Sequence, residues 1–83
     1  MTPPVRVLHA AGSLGLGGTE KVMQLLAVHL DKGRYRTAVH SPVDGERAPQ
    51  LRALGVPTFV GMDLLDACER FSPHILHLHR AGW

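Results

Sequence analysis

The sequence predicts an α/β fold built on a parallel sheet with helices on both faces. Four short apolar segments of strand length alternate with three segments of helical period, and short connections rich in glycine, proline or polar residues separate them. The resulting order is β-α-β-α-β-α-β. Because crossovers between parallel strands are right-handed, we expect a Rossmann-like strand order of 3-2-1-4.

The first half of the chain is predicted to contain two strands and a helix. Residues 5–11 form an apolar strand, and the two prolines before it exclude a preceding helix. A glycine-rich loop follows at 12–18. An apolar face of helical spacing then predicts a helix that Thr19 caps and that ends near residue 33. Residues 35–41 form the second strand.

The second half is predicted to repeat this alternation. In order, we expect a helix at 46–54, a strand at 56–61, a helix at 63–71 and a strand at 74–79. Pro49 is compatible with a helix only in its first turn, and Gly55 ends that helix. Pro57 indicates an edge position for the third strand.

The fourth predicted strand has the apolar sequence of an interior strand, Ile-Leu-His-Leu-His at 75–79. A doubly wound sheet would continue with another helix and strand, so we expect these 83 residues to be the N-terminal part of a larger domain. One alternative is a complete small protein with an exposed edge, and another is a fragment without catalysis whose exposed fourth strand pairs with a second copy.

Composition excludes several classes of function. The net charge is +2 and the basic residues are scattered, so no nucleic-acid-binding arm is indicated. No apolar run approaches the roughly 18 residues of a membrane span. The single cysteine, Cys68, excludes an internal disulfide, and we interpret it as a small apolar residue on the third helix. A reducing, cytoplasmic location is therefore expected.

The glycine-rich loop, Gly-Ser-Leu-Gly-Leu-Gly-Gly at 12–18, matches neither common phosphate-binding motif. The dinucleotide fingerprint fails because Glu20 stands at its third glycine, and the P-loop fails because Gly18 stands at its lysine. A glycine loop at a helix N-terminus still favours an anion such as a phosphate. The alternative is a strand-to-helix turn that binds nothing.

Three segments together resemble one enzyme family. They are GSLGLGGTEKV at 12–22, LRALGVPTFVG at 51–61 and FSPHILHLHRAGW at 71–83, and they resemble the N-terminal domains of family-4 retaining glycosyltransferases of the GT-B fold. His74 departs from this pattern, since an aspartate is usual there. The resemblance implies two Rossmann-like domains facing a cleft, with the acceptor held mainly by the N-terminal one.

The resemblance also implies roles for the loop. Gly17 and Gly18, with Gly15 and Thr19 beside them, would bring backbone N–H groups close to the diphosphate of a nucleotide-sugar donor, and no further cofactor is expected. Glu20 would contact the acceptor or organise the loop. It could equally be a first-turn acid favoured by the helix dipole.

The histidines of the fourth strand are the other candidates. His79 matches the second histidine of the family's His-x-His motif and would face the reacting sugar, although a strand-end histidine without a role is the alternative. His77 lies on the same side two residues back, and we expect it to be hydrogen-bonded in the core. His9 could lie near both, but no cysteine assists, so a zinc site is disfavoured and no metal is expected.

The function expected from these features is sugar transfer, with retention, from a nucleotide-sugar to an acceptor by the full-length parent. The family's Glu-x7-Glu motif is missing, because the glutamates are at positions 20, 46 and 69. The chain alone should therefore be inactive. The resemblance allows peripheral membrane association of the parent. The alternative function is a stand-alone phosphate- or nucleotide-binding module without catalysis.

Overall fold

A computed structural model describes residues 3–79 of the chain. Strands and helices alternate through these residues, as predicted. The elements are β1 (Val5–Ala10), α1 (Gly18–His29), β2 (Tyr35–Ser41), α2 (Arg47–Ala53), β3 (Thr58–Val60), α3 (Leu64–Phe71) and β4 (Ile75–Leu78). Residues 80–83, which end the third segment of the resemblance, lie outside the described residues.

The four strands form one parallel sheet in the order β3-β2-β1-β4, which confirms the predicted order. The chain runs outward from β1 through β2 to β3, and then β4 pairs with the free side of β1. The strand order therefore reverses between β1 and β4. In parallel α/β sheets, ligands bind at the carboxyl ends of the strands beside this reversal.

Two apolar clusters cover opposite faces of the sheet. The larger joins α1 and α2 to the sheet and includes Met23, Val39 and Leu51, all fully buried. The smaller lies under α3, where Ala67 packs on Leu8 and Ala38. Cys68 is half-buried against this second cluster, so its predicted role as an apolar residue on the third helix is confirmed.

The bounds of α1 differ from the prediction at both ends. Gly17, rather than Thr19, is the N-cap, because its carbonyl accepts the first helical hydrogen bond from the Lys21 N–H at 3.0 Å. The helix ends at His29 because Asp31 begins a turn. The Asp31 carboxylate accepts the Gly33 N–H at 2.8 Å, and this local bond competes with continued helix.

The predictions based on proline and glycine are confirmed. Pro49 is the third residue of α2, within its first turn, where a missing N–H costs no helical hydrogen bond. Gly55 follows α2 with a φ of 80°, a left-handed conformation that favours glycine. Pro57 immediately precedes β3, which is an edge strand.

β4 also lies at an edge of the sheet within the described residues, whereas its sequence predicts an interior strand. Ile75, Leu76 and Leu78 are 42–48% exposed. The inner side of β4 is fixed to β1, where the His74 N–H donates to the Arg6 carbonyl and the His74 ring accepts the Arg6 N–H. Apolar sequence alone does not reveal whether a further element covers a strand.

None of the helices in residues 3–79 has the length and apolar character needed to cross a membrane.

Candidate functional site

The glycine-rich loop leaves the carboxyl end of β1 and enters α1, beside the reversal in strand order. Leu14, in the middle of the loop, is fully buried in the larger apolar cluster and anchors it. Leu16, two residues later, is 59% exposed. The first part of the loop is therefore fixed by the core, and the part nearest the helix is presented to solvent.

A second segment packs against the loop from the side of α2. Gly45 touches its backbone so closely that a Cβ at this position would overlap the Leu14 carbonyl and lie 2.7 Å from the Gly15 N atom. The Arg47 N–H donates to the Leu14 carbonyl at 3.0 Å. Sequence reasoning missed both Gly45 and Arg47, because these contacts span about 30 residues and no local pattern announces them.

Arg47 carries a buried positive charge at the loop. Its Nε–H donates to the Gly15 carbonyl at 2.9 Å, and its Nη1 donates to the Gln24 side-chain oxygen at 2.5 Å. Among the described residues, no carboxylate lies within salt-bridge distance of it. A cation in this position stiffens the loop and makes its surroundings more favourable to an anion.

The predicted donor-binding glycines lie at the N-terminus of α1. Gly17 and Gly18 are exposed, and no atom of the described residues other than the chain neighbours of Gly18 lies within 4 Å of a Cβ added there. None of Gly15, Gly17 and Gly18 has a left-handed backbone conformation. These glycines therefore contribute space for neighbouring atoms, not an unusual φ. Thr19 is in the first turn of α1, and its side chain lies outside the described part of the structure.

Glu20 folds back over the loop. Its Oε2 atom would be 2.6 Å from a Cβ at Gly17, so this glycine makes room for the carboxylate. The acid also lies in the first turn of α1, where the positive end of the helix dipole favours it. Both features agree with the loop-organising interpretation, and the carboxylate now stands beside the N–H groups that an anion would use.

His79 directly follows β4, at the carboxyl end of the strand. Its N–H donates to the Ala10 carbonyl, which holds it beside the end of β1. The half-buried ring lies with Nε2 2.9 Å from His9 Nδ1. Burial, reinforced by the charge of His77, lowers the pKa of His79 to about 4, so the imidazole is neutral near pH 7.

His77 is not in the core, which contradicts our expectation. It is exposed, and no hydrogen bond to its ring is found within residues 3–79. The physical reason is that, within the described residues, β4 is an edge strand and no element covers its face at this point. The same-side placement is correct, since the His77 and His79 rings stack with centroids 3.9 Å apart.

His9 completes a cluster with these two residues. It is 1% exposed, and its Nε2 atom has no hydrogen-bond partner in the described part of the chain. Burial, followed by the charges of His79 and His77, lowers the pKa of His9 to about 4. His9 alternates with Leu8 along β1, so the cluster lies on the face of the sheet that carries α1 and α2.

A groove of about 360 Å³ lies elsewhere on the molecule. It is lined by residues that include Tyr35, Pro57 and Phe71, near the amino ends of the strands. Parallel α/β sheets bind ligands at the opposite, carboxyl ends. This groove therefore adds nothing to the site.

Together, fold and site define a Rossmann-like parallel α/β unit with a glycine loop and a histidine cluster at one edge of the sheet. In comparisons with known proteins, no family model, curated protein or solved structure matches the chain.

Proposed function

We propose that this chain is the acceptor-side part of a retaining GT-B glycosyltransferase, which transfers a sugar from a nucleotide-sugar to an acceptor hydroxyl. The observation that carries the proposal is one juxtaposition. The glycine loop follows β1 and His79 follows the neighbouring parallel strand β4. The exposed end of the loop and His79 therefore both lie at the carboxyl ends of the strands, where the strand order reverses. The exposed apolar side of β4 supports the idea of a larger parent domain.

The loop is proposed to stabilise the diphosphate that leaves the donor. Negative charge develops on that group during transfer, and fixed N–H dipoles aimed at it lower the barrier. Gly17 and Gly18 supply N–H groups at the positive end of α1, with Gly15 and Thr19 beside them. The Arg47 guanidinium on the Gly15 carbonyl adds positive charge and rigidity.

His79 is proposed to contact the reacting sugar or the acceptor hydroxyl. Because its pKa is lowered to about 4, the ring is neutral near pH 7 and adds no positive charge for the diphosphate. A neutral imidazole can donate one hydrogen bond and accept another, which suits a hydroxyl group. In this proposal the loop binds the anionic diphosphate, and His79 contacts the sugar.

Glu20 is proposed to face the acceptor when the donor is bound. In its present position beside Gly17, the carboxylate would repel a diphosphate at the same N–H groups. Donor binding therefore requires the side chain to turn away from the loop, which would bring its carboxylate towards acceptor hydroxyls.

The proposal is tested by nuclear magnetic resonance titration of the 15N-labelled chain with a nucleoside, its diphosphate and its diphosphate-sugar. We expect the amides of 15–20 to shift with the two diphosphates and not with the nucleoside. Shifts confined to other regions, or none at millimolar ligand, would contradict the proposal. The sugar-bearing ligand should additionally shift His79; without that addition, the stand-alone phosphate-binding alternative is favoured.

The chain alone is expected to show no transfer and no hydrolysis of nucleotide-sugars, because it has no Glu-x7-Glu motif. Turnover by the purified chain would contradict this part of the proposal. We also propose a cytoplasmic location, supported by the single unpaired Cys68.

A further inference from the structure

We propose that His9, His77 and His79 form a binding site for one divalent transition-metal ion of the Zn²⁺ type. One ring nitrogen from each histidine lies within 4.8 Å of one from each of the others. The sequence alone disfavours a metal because it offers no cysteine near these residues. The pairing of β1 with β4 brings the three histidines together, although His9 is far from the other two in the sequence.

The backbone fixes the three positions relative to one another. His9 and His77 are direct partners in the parallel pairing of β1 with β4, and residues paired in this way present their side chains on the same face. His79 lies two residues beyond His77, and its N–H is bonded to the Ala10 carbonyl. Three ligands on two hydrogen-bonded strands are thus held with little backbone freedom.

The distances are close to those that a metal ion requires. Zn–N bonds of about 2.0–2.1 Å place two nitrogens of a tetrahedral site roughly 3.3 Å apart. His9 Nδ1 and His79 Nε2 are 2.9 Å apart, and the 4.8 Å limit bounds the remaining separations. Small rotations of the exposed His77 ring and the half-buried His79 ring are sufficient to bring three nitrogens around one ion.

The protonation state also suits metal binding. Burial and mutual repulsion lower the pKa of both His9 and His79 to about 4, so neither must lose a proton near pH 7 to bind a cation. In the neutral His9 ring the proton can lie on the buried Nε2, which has no hydrogen-bond partner among the described residues, and Nδ1 then keeps the unshared electron pair that binds the ion. An uncharged ring of this kind is a metal ligand.

The donor set indicates the class of metal. Imidazole nitrogens suit Zn²⁺, Cu²⁺ and Ni²⁺, whereas Mg²⁺ and Ca²⁺ prefer oxygen. His77 is exposed and His79 is half-buried, so one side of the cluster faces solvent. Three protein nitrogens with a solvent-facing fourth position are the arrangement of zinc sites that keep a bound water.

The test is calorimetric titration of the metal-free chain with Zn²⁺ in a buffer that does not bind metals. We expect one ion per chain with a Kd below about 10 µM. His77→Ala and His79→Ala should each weaken binding about tenfold or more. His29→Ala is the matched control, since His29 is exposed on α1 and outside the cluster, and it should bind like the wild type.

The proposal is overturned if the wild-type chain binds no ion, if His77→Ala or His79→Ala binds Zn²⁺ as tightly as the wild type, or if His29→Ala weakens binding as much as they do. His9→Gln separates a three-ligand site from a simple His-x-His pair, because unchanged affinity in this variant also refutes the proposal. Because His9 is buried and its replacement can unfold the chain, X-ray absorption of the Zn²⁺-loaded wild type provides an independent count of the ligands. Three imidazole nitrogens are expected, and two would refute the proposal.

The metal site does not depend on the proposed sugar transfer, since its test uses the metal ion alone. The two proposals share His79, however. If both hold, Zn²⁺ should reduce the shift of His79 caused by the diphosphate-sugar while leaving the shifts of residues 15–20 in place.

Discussion

At the scale of single residues, Arg47 holds the glycine loop in place. It donates to the Gly15 carbonyl and to Gln24 while it is almost fully buried. Replacing it by Met keeps the apolar stem but removes the guanidinium and these bonds. We expect Arg47→Met to lower the free energy of unfolding by about 1–3 kcal/mol, because two half-buried acceptors lose their donor.

Urea denaturation measures this effect, and Arg52→Met is the control. Arg52 is on the same helix but exposed, and the hydrogen bond from its side chain to the Thr58 carbonyl is long at 3.4 Å. Equal unfolding midpoints for the two variants would show that Arg47 does not brace the loop.

Replacing each of two glycines near the site by alanine is expected to have opposite effects on stability. A Cβ at Gly45 overlaps backbone at Leu14, whereas a Cβ at Gly18 has no non-neighbouring atom within 4 Å in the part of the chain that the structure describes. Gly45→Ala should therefore destabilise the chain by about 1–3 kcal/mol through overpacking. Gly18→Ala should be neutral or stabilise it by up to about 1 kcal/mol, since alanine loses less backbone entropy in a helix. Thermal unfolding of both variants tests this prediction. A Gly45→Ala variant more stable than Gly18→Ala would contradict the close contact between Gly45 and the loop.

The sequence could predict the loop residues but not what holds them. Glycine spacing and the following apolar helix point to Gly17 and Gly18 directly. Gly45 and Arg47 reach the loop only after two strands and a helix have folded, so no window of sequence contains the contact. His77 was misplaced for a similar reason, because the pattern of β4 does not reveal whether its outward face is covered.

At the scale of elements, pairing of β1 with β4 creates a pH-sensitive cluster. The pKa of His9 and of His79 falls from 6.5 in the unfolded chain to about 4 in the folded one. The unfolded chain therefore takes up protons first as the pH falls below 6.5. Stability should be level above that pH and decline towards pH 4.

Urea midpoints of the metal-free chain at several pH values between 7.5 and 5 test this prediction, with about 5 as the lower limit because carboxylates begin to titrate below it. His79→Ala should show a shallower decline than the wild type, and His29→Ala should match the wild type. Parallel declines in all three proteins would mean that the cluster does not carry the pH dependence.

The bounds of the helices and strands show which features of the local sequence predict where an element begins and ends. β2 occupies Tyr35–Ser41, as predicted, and the proline and glycine signals around α2 are correct. The predicted start of α1 is wrong because Thr19 is a favoured capping residue, whereas the helix is capped two residues earlier by Gly17 in an extended conformation. The preference for certain capping residues predicts a helix start poorly where neighbouring glycines allow the helix to begin at several positions.

At the scale of the whole molecule, alternation of periods was enough to predict the strand order. That order already places strands 3 and 4 at the two edges of the sheet within the described residues, but the apolar sequence of β4 did not reveal that Ile75, Leu76 and Leu78 are exposed there. The edge formed by β4 predicts that the chain on its own associates through this strand, because an apolar edge offers unpaired backbone groups to a second copy.

Sedimentation velocity over a hundredfold concentration range measures this association. We expect a monomer–dimer equilibrium that Leu76→Lys shifts towards monomer, since a charge on β4 opposes pairing. Leu65→Lys, on the exposed side of α3, is the control and should leave the equilibrium unchanged. A monomer at every concentration would contradict the prediction.

The central claim is that an anionic diphosphate binds at the glycine loop, where the Glu20 carboxylate now lies. The most direct measurement compares the affinity of wild type and Glu20→Gln for a nucleoside diphosphate, with Glu69→Gln on α3, which packs on the other face of the sheet, as control. Removing the charge at the loop should tighten binding by about two- to fivefold, as expected for one charge at a helix N-terminus, and the control should not change. Unchanged or weaker binding by Glu20→Gln would contradict the claim.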